Sequence, residues 1–324
     1  MNIEMIRAAD ERIRGHVVET PLLRSAFLDR VAGRRVWIKP ECLQHTGSFK
    51  YRGGRAAVSA LSDETRKRGV IAYSSGNHAQ GVALAASEFG APAVIVMPSD
   101  APKMKIDNTR ALGGEVVLYD RSTEDRDAIG TEIATSRGLT LIRPFDEPEV
   151  IAGQGTAGLE IARQAADAGI QKADVLVCCG GGGFASGIAL ALEAEAPGLR
   201  VRPVEPENFD DMIRSLAAGE IRRNAALTGS ICDAIISPEP GQITFPILQR
   251  LAGPGIVVTD AEALHAVAHI FSRLKLVAEP GGAVAMAAAL FHDDEIRGED
   301  VIVTISGGNV DPDVFITALN RYTV

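Results

Sequence analysis

The chain has 324 residues, 46% of them apolar, with a formal net charge of −9, enough to fill two α/β lobes or one large one. No basic stripe accompanies the acidic balance, which excludes a general nucleic-acid binder. No apolar run approaches the ~20 residues that span a bilayer, so a cytoplasmic chain with no membrane partner is expected.

In chain order, "MNIEMIRAADERIRG" predicts an amphipathic helix with charges throughout, unlike a secretory signal. Short β-rich runs follow at 35–39, 70–73, 93–97, 115–119, 174–179, 199–204, 255–258 and 301–305. Between them lie stretches with apolar residues at helical spacing, such as "NHAQGVALAASEFG" and "AEALHAVAHIFSRL". This alternation implies parallel sheets covered on both faces, arranged as two lobes with a cleft between them. The Pro- and acid-rich "RPFDEPEV" (143–150) marks a crossing between lobes. Cys42, Cys178, Cys179 and Cys232 form no C-x-x-C pair, and two are adjacent in an apolar run. They read as reduced core residues, not as a disulfide framework or zinc site.

Glycine-rich turns in such sheets gather at the carboxyl ends of strands, where ligands bind. "CCGGGGFASG" (178–187) follows a strand and opens a helix. Four glycines leave no Cβ between backbone N–H groups and an anion, and the helix start adds its positive end. That suits a phosphate; the spacing is neither a dinucleotide fingerprint nor a P-loop. "SSGNHAQG" (74–81) clusters Ser74, Ser75, Asn77 and His78 at another helix start, which fits a carboxylate. "ISGGNVD" (305–311) ends the last strong strand and aims Ser306 toward the same cleft.

"HTGSFKYRGG" (45–54) adds a lysine, Lys50, at a helix start beside Phe49. A helix N-terminus and an apolar neighbour both lower an ammonium's pKa and favour the reactive amine. A lysine, a phosphate cradle, a carboxylate site and a serine at a third strand end together suggest pyridoxal phosphate. That cofactor needs an amine for its aldehyde, a cradle for its phosphate and a partner for its ring nitrogen.

"TGSFKYRG", "SSGNHAQG", "VIAGQGT", "GGGG", "EPENFDD", "EPGGA" and "SGGNVD" occur in the order of a known family. From about residue 5 to residue 315 the chain resembles the fold-type II pyridoxal-phosphate enzymes of the serine/threonine dehydratase and serine racemase group. The resemblance implies a tryptophan synthase beta-like architecture with the cofactor between two lobes. Residues 1–68 and 147–324 would form a large cofactor-binding domain and 69–146 a small one. Lys50 would link to the cofactor, Phe49 pack on its ring, Asn77 bond its ring hydroxyl, and Gly180, Gly181, Gly182 and Gly183 hold its phosphate. Ser306 would face the ring nitrogen and Glu279 lie near the cofactor. Ser74, Ser75 and His78 would seat the substrate carboxylate, and Ser237 would reach the substrate side. "VEPENFDD" matches the divalent-cation site of the racemase-like branch, with Glu205, Asp211 and the Phe209 carbonyl as ligands. Oxygen donors of that kind suit Mg²⁺, Mn²⁺ or Ca²⁺.

A neutral serine opposite the ring nitrogen holds no proton there, so elimination of a β-leaving group is favoured. The expectation is therefore a dehydratase (ammonia-lyase) acting on a β-hydroxy amino acid such as serine or threonine, with Lys50 as the base. Ser75 matches the residue that delivers a proton on the opposite face in resembling racemases, so serine racemase is the alternative. Arg126 matches an arginine near the substrate in racemase-like relatives and would point to a 3-hydroxyaspartate dehydratase. "CDA" (232–234) departs from the family's "ADG", and the added methyl of Ala234 alters the pocket. An idle pyridoxal-phosphate-binding protein is opposed by the intact Lys50, Asn77 and Ser306. The regulatory domain of allosteric biosynthetic threonine dehydratases is not found, which leads to the expectation of a stand-alone homodimer.

Overall fold

The computed structural model describes residues 1–322 apart from Ser75, Pro102 and Arg121 and the side chains of Met104 and Asp127. Among the described residues, ten strands form two sheets. They are β1 (Leu23–Arg24), β2 (Arg35–Pro40), β3 (Val70–Tyr73), β4 (Ala93–Pro98), β5 (Glu115–Tyr119), β6 (Thr140–Leu141), β7 (Ala173–Cys178), β8 (Leu199–Pro206), β9 (Ile256–Val258) and β10 (Asp300–Ile305). The six-stranded sheet runs β1-β2-β10-β7-β8-β9, parallel except where β1 meets β2; the four-stranded sheet runs β5-β4-β3-β6, all parallel. Two α/β lobes built on parallel sheets are thus present, as the alternation predicted.

The strand sequences explain their places. β10 lies between β2 and β7, with Val301 opposite both Val36 and Asp174, and its residues after Asp300 are all buried. Such continuous apolar runs belong to strands covered on both faces. The cover includes the helix Pro280–Phe291, "PGGAVAMAAALF", whose residues Pro280–Leu290 are all buried; a helix apolar all round has to be internal. β5, at the edge of the smaller sheet, is only half-buried. The sequence reading missed β1 and β6. Two residues each carry no period, and their pairing comes from the neighbouring strand.

Four chain segments converge where the strands end. β3 runs into Ser74, β7 into Gly180, β10 into Ser306, and the turn after β2 leads into the helix Lys50–Ala60. Their meeting point is the cleft between the sheets.

Candidate active site

A cavity of about 210 Å³ lies in this cleft and is lined by Lys50, Ser74, Asn77, Gly180–Gly183, Glu279 and Ser306, among others. Lys50 is the first residue of its helix. Its Nζ donates to the Pro144 carbonyl at 2.7 Å and lies 5.2 Å from the centre of the Phe49 ring. Burial pushes the ammonium down to about 8, against the opposing influence of Cys178 and Glu279. Phe49 stacks on Phe184 with ring centres 4.1 Å apart, which fixes the wall behind the amine. The turn before it is tight: Thr46 has φ 59°, and its carbonyl accepts from Asn309 Nδ2 at 2.8 Å. A β-branched residue at positive φ is strained, and such strain persists only where the surroundings impose it.

The glycine run forms a cradle a side chain would fill. A Cβ on Gly181 would fall 2.3 Å from the Phe145 ring, and one on Gly180 would fall 2.9 Å from the Ile235 carbonyl oxygen. Gly182 caps the helix Gly183–Glu195 at φ 92° with no side-chain cap. The first N–H groups of that helix therefore have no intrahelical or side-chain acceptor, which is what a phosphate needs. The helix Asn77–Glu88 likewise starts from Gly76 with no side-chain cap. Ser74 Oγ instead accepts from Gly76 N at 3.1 Å, so the serine shapes the turn and is not a plain N-cap.

Asn77 is held on both sides. Its Nδ2 donates to Glu279 Oε1 at 2.6 Å, and its Oδ1 accepts from Asn309 Nδ2 at 2.6 Å. An amide has two hydrogens, so one remains for a ring hydroxyl. Glu279, at the start of the helix Pro280–Phe291, is raised to about 7 by burial, with the Asn77 bond opposing. Ser306 is buried at the cavity, and its carbonyl accepts from Phe49 N at 3.1 Å. Ser237 also lines the cavity, with its Oγ 3.1 Å from where a Gly180 Cβ would lie.

His78 lines the cavity, with its imidazole bonded to a neighbouring backbone group. Its Nε2 lies 2.8 Å from the Ile142 carbonyl, and a carbonyl only accepts, so Nε2 carries the hydrogen and Nδ1 is a bare acceptor. Burial, followed by the nearby Lys50, pushes the ring down to about 3. Nδ1 is buried without a hydrogen-bond partner among the described residues, and a neutral ring's bare lone pair does not bind a carboxylate; what His78 offers is its backbone N–H at the helix start. Arg126 is exposed on the first turn of the helix Arg126–Arg137 and is not among the cavity's lining residues. Ser75 lies outside the described residues. Glu205, on β8, and Asp211, at the start of the helix Asp211–Ala218, come close enough to act on each other outside the cavity's lining, with Phe209 on the turn between them.

The sequence reading did not single out Pro144, Phe145, Cys178 or Lys105 as lining residues, nor Asn309 as a clamp. Pro144 and Phe145 carried a signal, since they belong to the crossing segment. Lys105 carried none.

The sequence model of the pyridoxal-phosphate dependent enzymes matches residues 13–308. An L-threo-3-hydroxyaspartate ammonia-lyase of a Pseudomonas species is 42% identical over 98% of this chain and 97% of its own length. An L-threonine ammonia-lyase of Thermotoga maritima is 39% identical over 99% of this chain and 79% of its own. The structure of maize serine racemase superposes with a TM-score of 0.90 at 35% identity, covering 99% of this chain and 97% of that one. With the cradle, the buried lysine and these likenesses in agreement, the chain belongs to the pyridoxal-phosphate-dependent enzymes, in the serine/threonine dehydratase and serine racemase group.

Proposed function

We propose that the chain is an ammonia-lyase that eliminates water from a β-hydroxy amino acid, releasing a 2-keto acid and ammonia. One observation carries this reading: a buried lysine amine, two uncapped helix starts and a neutral serine face a single cavity. When bound, pyridoxal phosphate supplies an aldehyde and an electron-withdrawing ring that make the Cα–H of an attached amino acid acidic. Gly180–Gly183 hold its phosphate, Asn77 meets its ring hydroxyl with the remaining amide hydrogen, and Phe49 and Glu279 flank it. Ser74, Ser75 and the N–H groups of Asn77 and His78 take the substrate carboxylate, with Ser237 on the substrate side. Lys50, lowered to about 8, has a usable fraction of neutral amine near pH 7. A base so placed contributes about 10²–10⁴-fold by taking the Cα proton. Ser306 offers no negative charge to keep a proton on a ring nitrogen. That favours reactions in which the Cα electrons depart at once with a β-substituent.

The test is release of ammonia and keto acid from L-serine, L-threonine and L-threo-3-hydroxyaspartate. Interconversion of L- and D-serine without keto acid would replace the lyase by a racemase, and no turnover with bound cofactor would leave an idle carrier.

A divalent cation (Mg²⁺, Mn²⁺ or Ca²⁺) at Glu205, Asp211 and the Phe209 carbonyl is part of the proposal. Both carboxylates are buried, and each stands well above or above its usual range, chiefly through burial. Asp211 Oδ2 has no hydrogen-bond partner among the described residues. No group of three His, Cys, Asp or Glu suited to a metal occurs among the described residues, so carbonyl and water oxygens would complete the shell. We also take residues 69–146 as the small domain, since all strands of the four-stranded sheet fall within 70–141. A cytoplasmic homodimer accords with four free cysteines and with Phe27, Val31 and Ile316 exposed on the large lobe; sedimentation at the mass of one chain would overturn the dimer.

A further inference from the structure

Two charged residues at the cavity are used by nothing described so far. Lys105, on the helix Lys103–Ala111 of the small lobe, and Asp233, on the segment between the helices Asp211–Ala218 and Thr244–Leu251 of the large lobe, both line it. Lys105 Nζ and Asp233 Oδ2 face each other at 3.5 Å. That is an ion pair without hydrogen-bond contact, and Lys105 Nζ makes no side-chain hydrogen bond among the described residues. The two partners differ in their access to water: the Lys105 side chain is 13% exposed and that of Asp233 63%. Asp233 returns to solvent at small cost, whereas a mostly buried ammonium left alone pays desolvation without a counter-charge. The pair is therefore a cation in need of an anion, held by an anion free to leave.

The remaining anion sites of the cavity are already committed to the phosphate and the α-carboxylate. The other lining ammonium, Lys50, is committed to the reaction. Arg126 does not line the cavity. Resting on the lyase reading above, we propose that Lys105 binds a second, side-chain carboxylate of the substrate, and that Asp233 holds this place until the substrate displaces it. The substrate class is then a 3-hydroxy dicarboxylic amino acid in preference to serine or threonine. An ammonium with three free donors suits one carboxylate well, and Asp233 is itself a carboxylate of the same chemistry in that position. Both charges are close enough to Glu279 to act on it, Asp233 raising and Lys105 lowering its carboxyl, which places the pair beside the cofactor site.

The test uses two variants of the holoenzyme whose effects should have opposite signs. Calorimetric titration compares succinate, an unreactive dicarboxylate, with propionate, its monocarboxylate counterpart. Wild type should prefer succinate. Lys105→Met should weaken succinate about 10- to 100-fold relative to propionate, the range for a hydrogen bond to a charged group. Asp233→Asn should tighten succinate, because the competing anion is gone. In turnover, Lys105→Met should lower kcat/KM for L-threo-3-hydroxyaspartate at least about tenfold more than for L-serine, mainly through KM, with Lys105→Arg recovering part of it. If both variants shift succinate in the same direction, the pair is a latch between lobes and the proposal falls. It also falls if wild type shows no succinate preference, or if Lys105→Met leaves the ratio unchanged. Should wild type release ammonia from no substrate, the lyase reading fails, while the succinate titration still decides the role of Lys105.

Discussion

At Lys50 the local sequence and the distant packing push the same way. The helix start is written in the chain, but most of the lowering comes from burial in a cavity walled by residues far away in sequence, Pro144 among them, and it prevails over the opposing charge of Glu279. The free amine is the form that bonds an aldehyde, so loading of cofactor-free protein with pyridoxal phosphate should quicken as the pH rises through about 8, followed by the growth of visible absorbance. Lys50→Ala should lose the borohydride-fixed link altogether; retention of that link would remove Lys50 from its role. Gly181→Ala tests the cradle, since its methyl would press on the Phe145 ring 2.3 Å away. It should cost about 1–3 kcal/mol of stability and release cofactor during dialysis, while unchanged retention would mean that the loop is not the phosphate site. Residues of this kind were legible because short contiguous motifs carry them. Lys105 and Asp233 were not, because their pairing needs two lobes to be folded and facing. The tautomer of His78 was equally hidden, being set by the carbonyl of Ile142, 64 positions away.

At the scale of elements, the helix that begins with Lys50 is anchored from behind by charge. Arg52, fully buried, donates to Glu41 on the turn after β2 and to Glu160 on the helix Pro148–Asp167. Lys39, at the end of β2, reaches the same Glu160. Burial pushes the Glu41 carboxyl up, but Arg52, Lys39 and the Thr20 hydroxyl together hold it below its usual range. One guanidinium thus ties three elements together two residues from the amine. Arg52→Met would strand buried carboxylates and should destabilise the fold by about 3–5 kcal/mol, read from a lower urea midpoint. A loss under about 1 kcal/mol would show that the network is neutral for stability. The strands with long apolar runs could be read from sequence because burial on both faces leaves an unbroken signature. β8 exceeds its apolar run, reaching Pro206, because Val204–Pro206 pair with β9. No local pattern announces that extension.

For the whole molecule, the question is how the proposed cation, held away from the cavity lining, would bear on the active cleft. Glu205 accepts from the N–H groups of Met212 and Ile213 at 3.2 and 2.8 Å, so it holds the start of the helix Asp211–Ala218. Met212, next in the chain to Asp211, reaches the cradle: a Cβ on Gly182 would lie 2.6 Å from its Cε. The proposed ion at Glu205 and Asp211 would therefore brace the helix whose side chain backs the glycine loop. Without it, two buried carboxylates face each other, and one must take a proton or draw in water. A cation present at about 100 times its dissociation constant stabilises by about 2.7 kcal/mol. Chelation should accordingly lower Tm by several degrees and loosen pyridoxal phosphate in parallel, and Mg²⁺, Mn²⁺ or Ca²⁺ should restore both. The pair Glu205→Gln and Asp211→Asn, made together, keeps the shape and removes the charge that recruits the ion. Its Tm should no longer respond to chelator. If wild type melts at the same temperature and holds its cofactor equally well with and without chelator, the carboxylate pair is sharing a proton and binds no ion. The same conclusion follows if the double variant responds to chelator as wild type does.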